Sequence, residues 1–244
     1  MKILISNDDG IFAPGIEALV QAFAGAGHEV YVCAPDSQRS AASHSLSIGK
    51  PLTVREVEYP GAARAYAIGG TPADCVKLGL MVLCPQAEAV VSGVNRGYNV
   101  GTDILYSGTV AAAMEGAICG RPALAVSQSE KRADYSKASA LAVRMFEKMK
   151  ANPLEPLHVL NVNYPACDEI GGVVMAHTGQ LHYNEVYTPT VHDSLPAYSL
   201  NGQIDAEKPQ SEDYARLEQG YATVTVLRAD LTDTGITKVW NGLV

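Results

Sequence analysis

Lys2 to Ser6 is a short apolar run with two β-branched isoleucines, ended by a polar turn, and it predicts a buried strand. Ile16, Leu19, Val20 and Phe23 then fall at helical spacing, so one face of the next element is apolar. Pro14 and Gly15 mark the start of that helix, Gly25 and Gly27 its end. Glu29 to Ala34 is the next strand, stopped by Pro35. Strand, helix and strand in this order predict a parallel pair with a right-handed crossover. Leu52 to Tyr59 and Arg64 to Ile68 read as two strands joined through Pro60-Gly61, a hairpin at the sheet edge.

Thr71-Pro72-Ala73-Asp74 reads as a helix start: Thr71 is the N-cap, Pro72 takes the first helical position and Asp74 completes a capping box. The helix continues through Val76, Leu80 and Leu83. Ala87 to Gly93 is apolar throughout and predicts a strand buried on both faces. A polar, glycine-rich loop from Asn95 to Tyr106 follows, and Ser107 or Gly108 opens a helix of small residues that ends near Gly120. Ala123 to Ser127 and Leu157 to Val162 are strands flanking a helix over Ser136 to Met149. Residues 1–165 therefore alternate as an α/β, doubly wound, mostly parallel sheet does. Residues 166–244 break the pattern. Gly171 to Ala176 and Tyr221 to Leu227 read as strands, the second a late strand returning to the core. His177 to Ser211 is polar, holds Pro189, Pro196 and Pro209, and shows no period, which is long for a loop in a compact domain.

Composition narrows the class. The 244 residues are 47% hydrophobic and carry a formal net charge of −8, with no block of Lys or Arg. That excludes the electrostatic footprint of a duplex-binding protein. An acidic protein that handles an anion needs a local device, a metal ion or a helix N-terminus. No apolar run is long enough to span a bilayer, and the opening stretch is too short for a signal peptide. The five cysteines (Cys33, Cys75, Cys84, Cys119, Cys167) are odd in number and lack C-x-x-C spacing, so they read as buried small hydrophobes in a reducing cytoplasm.

Three segments carry chemistry. Asn7-Asp8-Asp9-Gly10 follows the first strand, where open α/β sheets bind ligands. Adjacent carboxylates there repel each other and lose solvation unless a cation joins them; hard oxygen donors favour Mg²⁺, Mn²⁺ or Ca²⁺. The alternative is a solvated Asp-Asp-Gly turn. After the second strand, Ser40 offers a neutral oxygen, Arg39 a fork for phosphate oxygens, and His44 an acid or a supporting group; a surface ion pair and a surface histidine are the alternatives. The third segment runs from Ser92 through Asn95 and a loop with three glycines to Ser107-Gly108-Thr109 at a helix start, an anion-ready arrangement of N–H and hydroxyl groups. It is neither G-x-G-x-x-G nor a P-loop.

With N-D-D-G, A-P-D-x-x-R-S-A, G-G-T-P-A-D-C-V and S-G-V-N-x-G-x-N-x-G-x-D-x-x-Y-S-G-T-V-A-A-A in order over residues 1 to about 128, and L-N-V-N-Y-P near 160, the chain resembles the SurE (survival protein E) nucleotidase family. The resemblance implies a Rossmann-like core and hydrolysis of nucleoside 5′- and 3′-monophosphates with one divalent metal ion per subunit, Mg²⁺ or Mn²⁺. It also implies a homodimer or homotetramer in which a C-terminal arm, here His177 to Ser211, is exchanged. By the same resemblance the metal ligands fall on Asp8, Asp9, Ser40 and Asn95. Phosphate contacts fall on Asn95, Ser107, Gly108 and Thr109, joined by Arg39 and His44. On chemical grounds, direct attack by water is the simpler reading, with Asp8 or Asp9 as its proton acceptor. A common family form is R-S-A-x-G-H-S; here Ser43 stands where that form has glycine. A non-enzymatic receiver-like or nucleotide-binding signalling module is the rival, since receivers also open with a strand and paired acids. Against it, receivers need about half this length, and Leu52 to Tyr59 does not end in an acceptor aspartate.

Overall fold

The computed structural model describes residues 1–234 and 236–237. The elements up to residue 165 are β1 (Lys2–Ser6), α1 (Pro14–Gly25), β2 (Glu29–Pro35), β3 (Val54–Val57), β4 (Arg64–Ile68), α2 (Pro72–Leu78), β5 (Ala89–Arg96), α3 (Gly108–Ile118), β6 (Ala123–Gln128), α4 (Ser136–Ala151) and β7 (His158–Tyr164). They are followed by β8 (Val173–Met175), β9 (Tyr183–His192), β10 (Leu195–Ile204), α5 (Glu212–Glu218) and β11 (Ala222–Arg228). Nine described strands form one sheet in the order β3-β4-β2-β1-β5-β6-β7-β11-β8. β4, β2, β1, β5, β6 and β7 are mutually parallel. β3 pairs antiparallel with β4 at one edge, and β11 pairs antiparallel with β7 and parallel with β8 at the other.

The chain winds outward from β1 through β2 to β4, then returns to the other side of β1 as β5 and winds through β6 to β7. The reversal opens a crevice beyond the carboxyl ends of β1 and β5. Side chains of β1 alternate between two cores: Ile3 and Ile5 pack with α1 and α4, Leu4 with α2 and α3. Burial on both faces is why these strands read as continuous apolar runs. The predicted stripe Ile16, Leu19, Val20 and Phe23 is buried, and Phe23 meets Phe146 of α4 edge-on, with ring centroids 5.4 Å apart. The Thr71 capping box is formed as expected.

Several expectations need correction. The stretch from His177 to Ser211 is not aperiodic: β9 and β10 form a long antiparallel hairpin that pairs only with itself among the described strands. Opposed residues of such a pair share a face. Toward the loop one face is mostly apolar, with Tyr187 against Leu200, Pro189 against Tyr198 and Val191 against Pro196, though Glu185 sits on it at the base; the other carries Thr188 against Ser199 and Asn184 against Gln203, with Val186 and Leu195 among them. Both faces are exposed, so no core reveals the alternation. Helix α5 starts at the predicted arm's end and was not expected. α2 stops at Leu78 and continues as one wider turn over Gly79–Leu83, leaving Leu83 only half-buried. β5 runs past Gly93 to Arg96. Cys33, Cys75 and Cys84 are buried free thiols, but Cys119 and Cys167 are half-buried, beside Glu115 and the Gly220 carbonyl. No described helix is long and apolar enough to cross a membrane. The part of the 166–244 extension at 235 and 238–244 lies outside the described residues.

α3 comes close to the sheet at Gly116, where an added Cβ would sit 2.7 Å from Cβ and Cγ2 of Val90. A Gly-to-Ala change inside a helix ordinarily gains ~1 kcal/mol. Here overcrowding costs ~1–3 kcal/mol and wins. Gly116→Ala is expected to lower unfolding free energy in urea, with the midpoint shifted and the slope unchanged.

Candidate active site

β1 delivers Asn7-Asp8-Asp9-Gly10 into the crevice. Asn7 is fully buried and its Nδ2 donates to the Gly10 carbonyl at 2.8 Å, closing a tight turn for which Gly10 adopts φ +101°. The turn leaves Asp8 buried and Asp9 half-buried. Opposite lies the start of α3. Ser107 is its N-cap, with Oγ accepting from the Val110 N–H at 3.0 Å. The Thr109 hydroxyl, buried beneath it, donates to Asp8 Oδ1. Between them, Gly108 lies so near that a Cβ would stand 2.8 Å from Asp8 Cβ and 3.0 Å from Oδ2. The positive end of the α3 dipole therefore faces a carboxylate.

Electrostatics at the pair is strained. Burial pushes the Asp8 carboxyl up to about 6, Asp9 adds repulsion, and the Thr109 hydrogen bond opposes both only in part. Burial also raises Asp9, against the Arg96 N–H that reaches its Oδ2 at 3.4 Å and the Arg96 charge. Asn95 spends its amide nitrogen on the Gly97 carbonyl at 2.9 Å, which leaves its side-chain oxygen to accept a hydrogen bond or bind a cation. Ser40 Oγ accepts from Gln38 Nε2 at 2.9 Å.

Asp8, Asp9, Ser40, Asn95 and Ser107 line one cleft of 720 Å³. Gly108 and Thr109 stand behind Asp8, and Thr109 has its hydroxyl committed to that carboxylate. The side chains of Arg39 and His44 are not brought into the cleft. Arg39 turns to Asp36 at 3.4 Å on the exposed side, while its backbone N–H donates to the Asp8 carbonyl at 2.8 Å. His44 Nε2 lies 2.8 Å from Oε2 of Glu115, a buried carboxylate on α3.

Other lining residues escaped sequence reasoning. Asn99 reaches the cleft and donates from Nδ2 to Ser127 Oγ at 2.8 Å. Its backbone is clamped by Asn161 and Asn163, whose amides donate to the Asn99 carbonyl at 2.9 and 3.0 Å. Two asparagines, one residue apart on an otherwise apolar strand, were the available signal. Tyr183, Glu185, Leu200 and Gly202 form the opposite wall, from the base of the hairpin. The Tyr183 hydroxyl donates to Asp103 Oδ2, and the Gly101 N–H to Asp213 Oδ2 at 2.9 Å, so the hairpin base and α5 are both tied to the turn preceding Ser107.

The residues fit a hard divalent cation. The donors are all oxygen, two of them carboxylates held above their ordinary range, which a cation would relieve. Among the described residues no three His, Cys, Asp or Glu side chains cluster as metal ligands, so a cation here relies on the neutral oxygens of Ser40 and Asn95 beside the two carboxylates.

Fold and site together define an α/β protein with an acidic, oxygen-lined cleft at its topological switch point, one wall of which is a helix start. A sequence model described as Survival protein SurE matches residues 3–185. The chain is 43% identical over 244 residues to the 5′-nucleotidase SurE of Clostridium beijerinckii, covering 97% of this chain and 96% of that one. It is 43% identical over 241 residues to the 5′-nucleotidase SurE of a Synechococcus species, covering 95% and 93%. The crystal structure of the SurE protein from Aquifex aeolicus superposes with a TM-score of 0.85 at 34% identity, over 100% of this chain and 99% of that one. The chain belongs to the survival protein SurE family.

The raised Asp8 pKa has a stability consequence. Its protonated form favours the fold, so the contribution is complete below the ordinary value of 3.8 and is lost as pH rises through about 6. With chelator present, Asp8→Asn is expected to exceed the parent in unfolding free energy at neutral pH by on the order of 3 kcal/mol. The two stability curves should converge below about pH 4.

Proposed function

We propose that the chain is a 5′-nucleotidase that hydrolyses nucleoside monophosphates at the Asp8–Asp9 cleft. The observation that carries the reading is the desolvated carboxylate pair, flanked by the neutral oxygens of Ser40 and Asn95 and opposed by the start of α3. A divalent cation, Mg²⁺ or Mn²⁺, would be held by Asp8, Asp9, Ser40 and Asn95, and when bound supplies charge neutralisation for the phosphoryl group and a lowered pKa for water. With one Ser107 lone pair engaged by the Val110 N–H, the Ser107 hydroxyl proton and the Gly108 N–H remain to donate to phosphate oxygens. Asp8 is fixed by Thr109 and serves as a rigid anchor. Asp9, less buried and more loosely held, accepts the proton of the attacking water. The 3′-monophosphates enter the same cleft in this reading. Residues 1–165 act as the catalytic core and 166–244 as the extension, and the buried free thiols fit the cytoplasm.

The apolar face of the hairpin supports an oligomer, a homodimer or homotetramer with exchanged arms. Tyr187, Tyr198, Leu200 and Val191 are each more than half exposed in the single chain, and together they form a patch of the kind that marks an interface.

Phosphate release from a panel of nucleoside monophosphates is expected with Mn²⁺ or Mg²⁺ and to vanish with EDTA; release that EDTA leaves intact would remove the cation from the reading. Asp9→Asn should keep the fold and lower kcat by at least about a hundredfold. Light scattering should give a multiple of the 25.8 kDa chain mass, and Tyr198→Glu should shift it toward smaller species. A parent protein of single-chain mass at micromolar concentration contradicts the exchanged arm.

A further inference from the structure

Glu115 is a carboxylate whose side chain is only 3% exposed, on the same helix that fixes Asp8 at its start. A buried charge persists only when paired. Its two oxygens are divided between two other parts of the chain. Oε1 accepts from Lys77 Nζ of α2 at 2.6 Å, and Oε2 meets His44 Nε2 at 2.8 Å. Burial alone would raise the Glu115 pKa; the hydrogen bonds from His44 and Lys77 overcome it and bring it down to about 2. Glu115 is thus a fixed anion under all ordinary conditions.

His44 sits on the connection between β2 and β3, the segment that also carries Ser40. Residues Asp36 to Ala41 of that segment are exposed and have no core to hold them. Their position depends on polar ties. The Arg39 N–H donates to the Asp8 carbonyl at 2.8 Å, and the Ser43 N–H to the Tyr106 carbonyl at 3.1 Å. Further on, Thr71 Oγ1 donates to the Ser45 carbonyl at 2.7 Å, and Ser47 Oγ to Asp74 at 2.7 Å. Of the side-chain ties from this segment to the helices, His44–Glu115 is the nearest to Ser40. Ser43 adopts φ +51° and Ala41 φ +54°, left-handed backbone that turns His44 toward α3 and is unfavourable for residues with a Cβ. An exposed segment held by a few hydrogen bonds opens readily, and the strength of the ties sets how often.

We propose that His44 is a positioning residue: seated on Glu115, it clasps the Ser40 segment to α3 and so fixes Ser40 relative to Asp8, without touching the substrate. Lys77 completes the anchor by pairing the second Glu115 oxygen. This assignment rests on the cleft described above being the reaction site, but the clasp itself is read independently of activity.

The test uses the full chain with His44→Ala, His44→Gln and Ser43→Val, the last placing a β-branched residue at φ +51° to unseat His44 without removing its ring. Two readouts are taken: the rate of tryptic cleavage after Arg39, followed by mass spectrometry without metal, and the Mn²⁺ concentration for half-maximal phosphate release. His44→Ala and Ser43→Val are expected to raise the cleavage rate about tenfold or more, the loss of one hydrogen bond to a charged group. Both should raise the Mn²⁺ requirement while leaving kcat at saturating Mn²⁺ within a few-fold of the parent. Gln, which can donate to Glu115, should restore most of both. Parental cleavage rates in His44→Ala and Ser43→Val overturn the proposal. So does a collapse of kcat with unchanged Mn²⁺ requirement, which would make His44 a catalytic residue. If the parent releases no phosphate with Mn²⁺, the nucleotidase reading fails, and the cleavage rates still decide the clasp.

Discussion

Two neighbouring carboxylates, one buried and one half-buried, are the constraint around which the molecule is arranged. Asp8 and Asp9 lose solvation and repel each other, and the chain compensates with groups drawn from distant positions. Thr109 donates a hydroxyl to Asp8, Gly108 gives up its side chain so that the helix can come close, and the α3 dipole points its positive end at the pair. The Asn7–Gly10 turn fixes both carboxylates at the end of a strand whose two faces are buried in separate cores. Such a pair can be held in place only by a scaffold that is stiff on both sides of the sheet.

α3 is the element that joins these duties. Its first turn holds Asp8, its last turn meets β5 through Gly116, and its buried Glu115 joins α2 to the segment carrying Ser40. A second polar layer lies under the glycine-rich loop, where Asn161 and Asn163 grip the carbonyl of Asn99. Both layers bury polar groups, and in both most of those groups find partners, the condition for a polar interior to add rigidity rather than strain.

The sequence reveals what is local or periodic and hides what is neither. The order of strands and helices to residue 165 was legible because burial on both faces writes long apolar runs and an amphipathic helix writes its stripe. The Thr71 cap was legible because its chemistry spans four residues. Pairings across long stretches of chain leave no such pattern. Nothing near His44 announces Glu115, and Thr109 reads as a phosphate contact because its hydroxyl's partner, Asp8, lies 101 residues away in the turn after β1. The hairpin was missed for a different reason. Its alternation exists, Tyr187, Pro189 and Val191 on one face and Thr188 and Thr190 on the other, but its two prolines disguise it as loop in the sequence and no core in the single chain enforces it. Ser43 shows the converse: a residue type alone could not disclose that its backbone is left-handed.

The hairpin contributes one wall of the cleft while contributing nothing to the two cores. Tyr183, Glu185, Leu200 and Gly202 face the site from strands whose side chains are mostly exposed, whereas the opposite wall includes Asp8 and Ser107, buried where β1 meets the start of α3. The cost of sequence change is therefore uneven around one cavity. Substitutions at Glu185, Leu200 or Gly202 can alter what shape and charge of ligand the cleft admits without disturbing the two cores, whereas Tyr183 is tied to Asp103 and packs on Val100, Leu181 and Leu217. On the Asp8 wall, enlarging Gly108 would drive a side chain into Asp8, so that wall tolerates less change in shape. In a lineage of such proteins the reaction would be the inherited part and ligand preference the part free to drift.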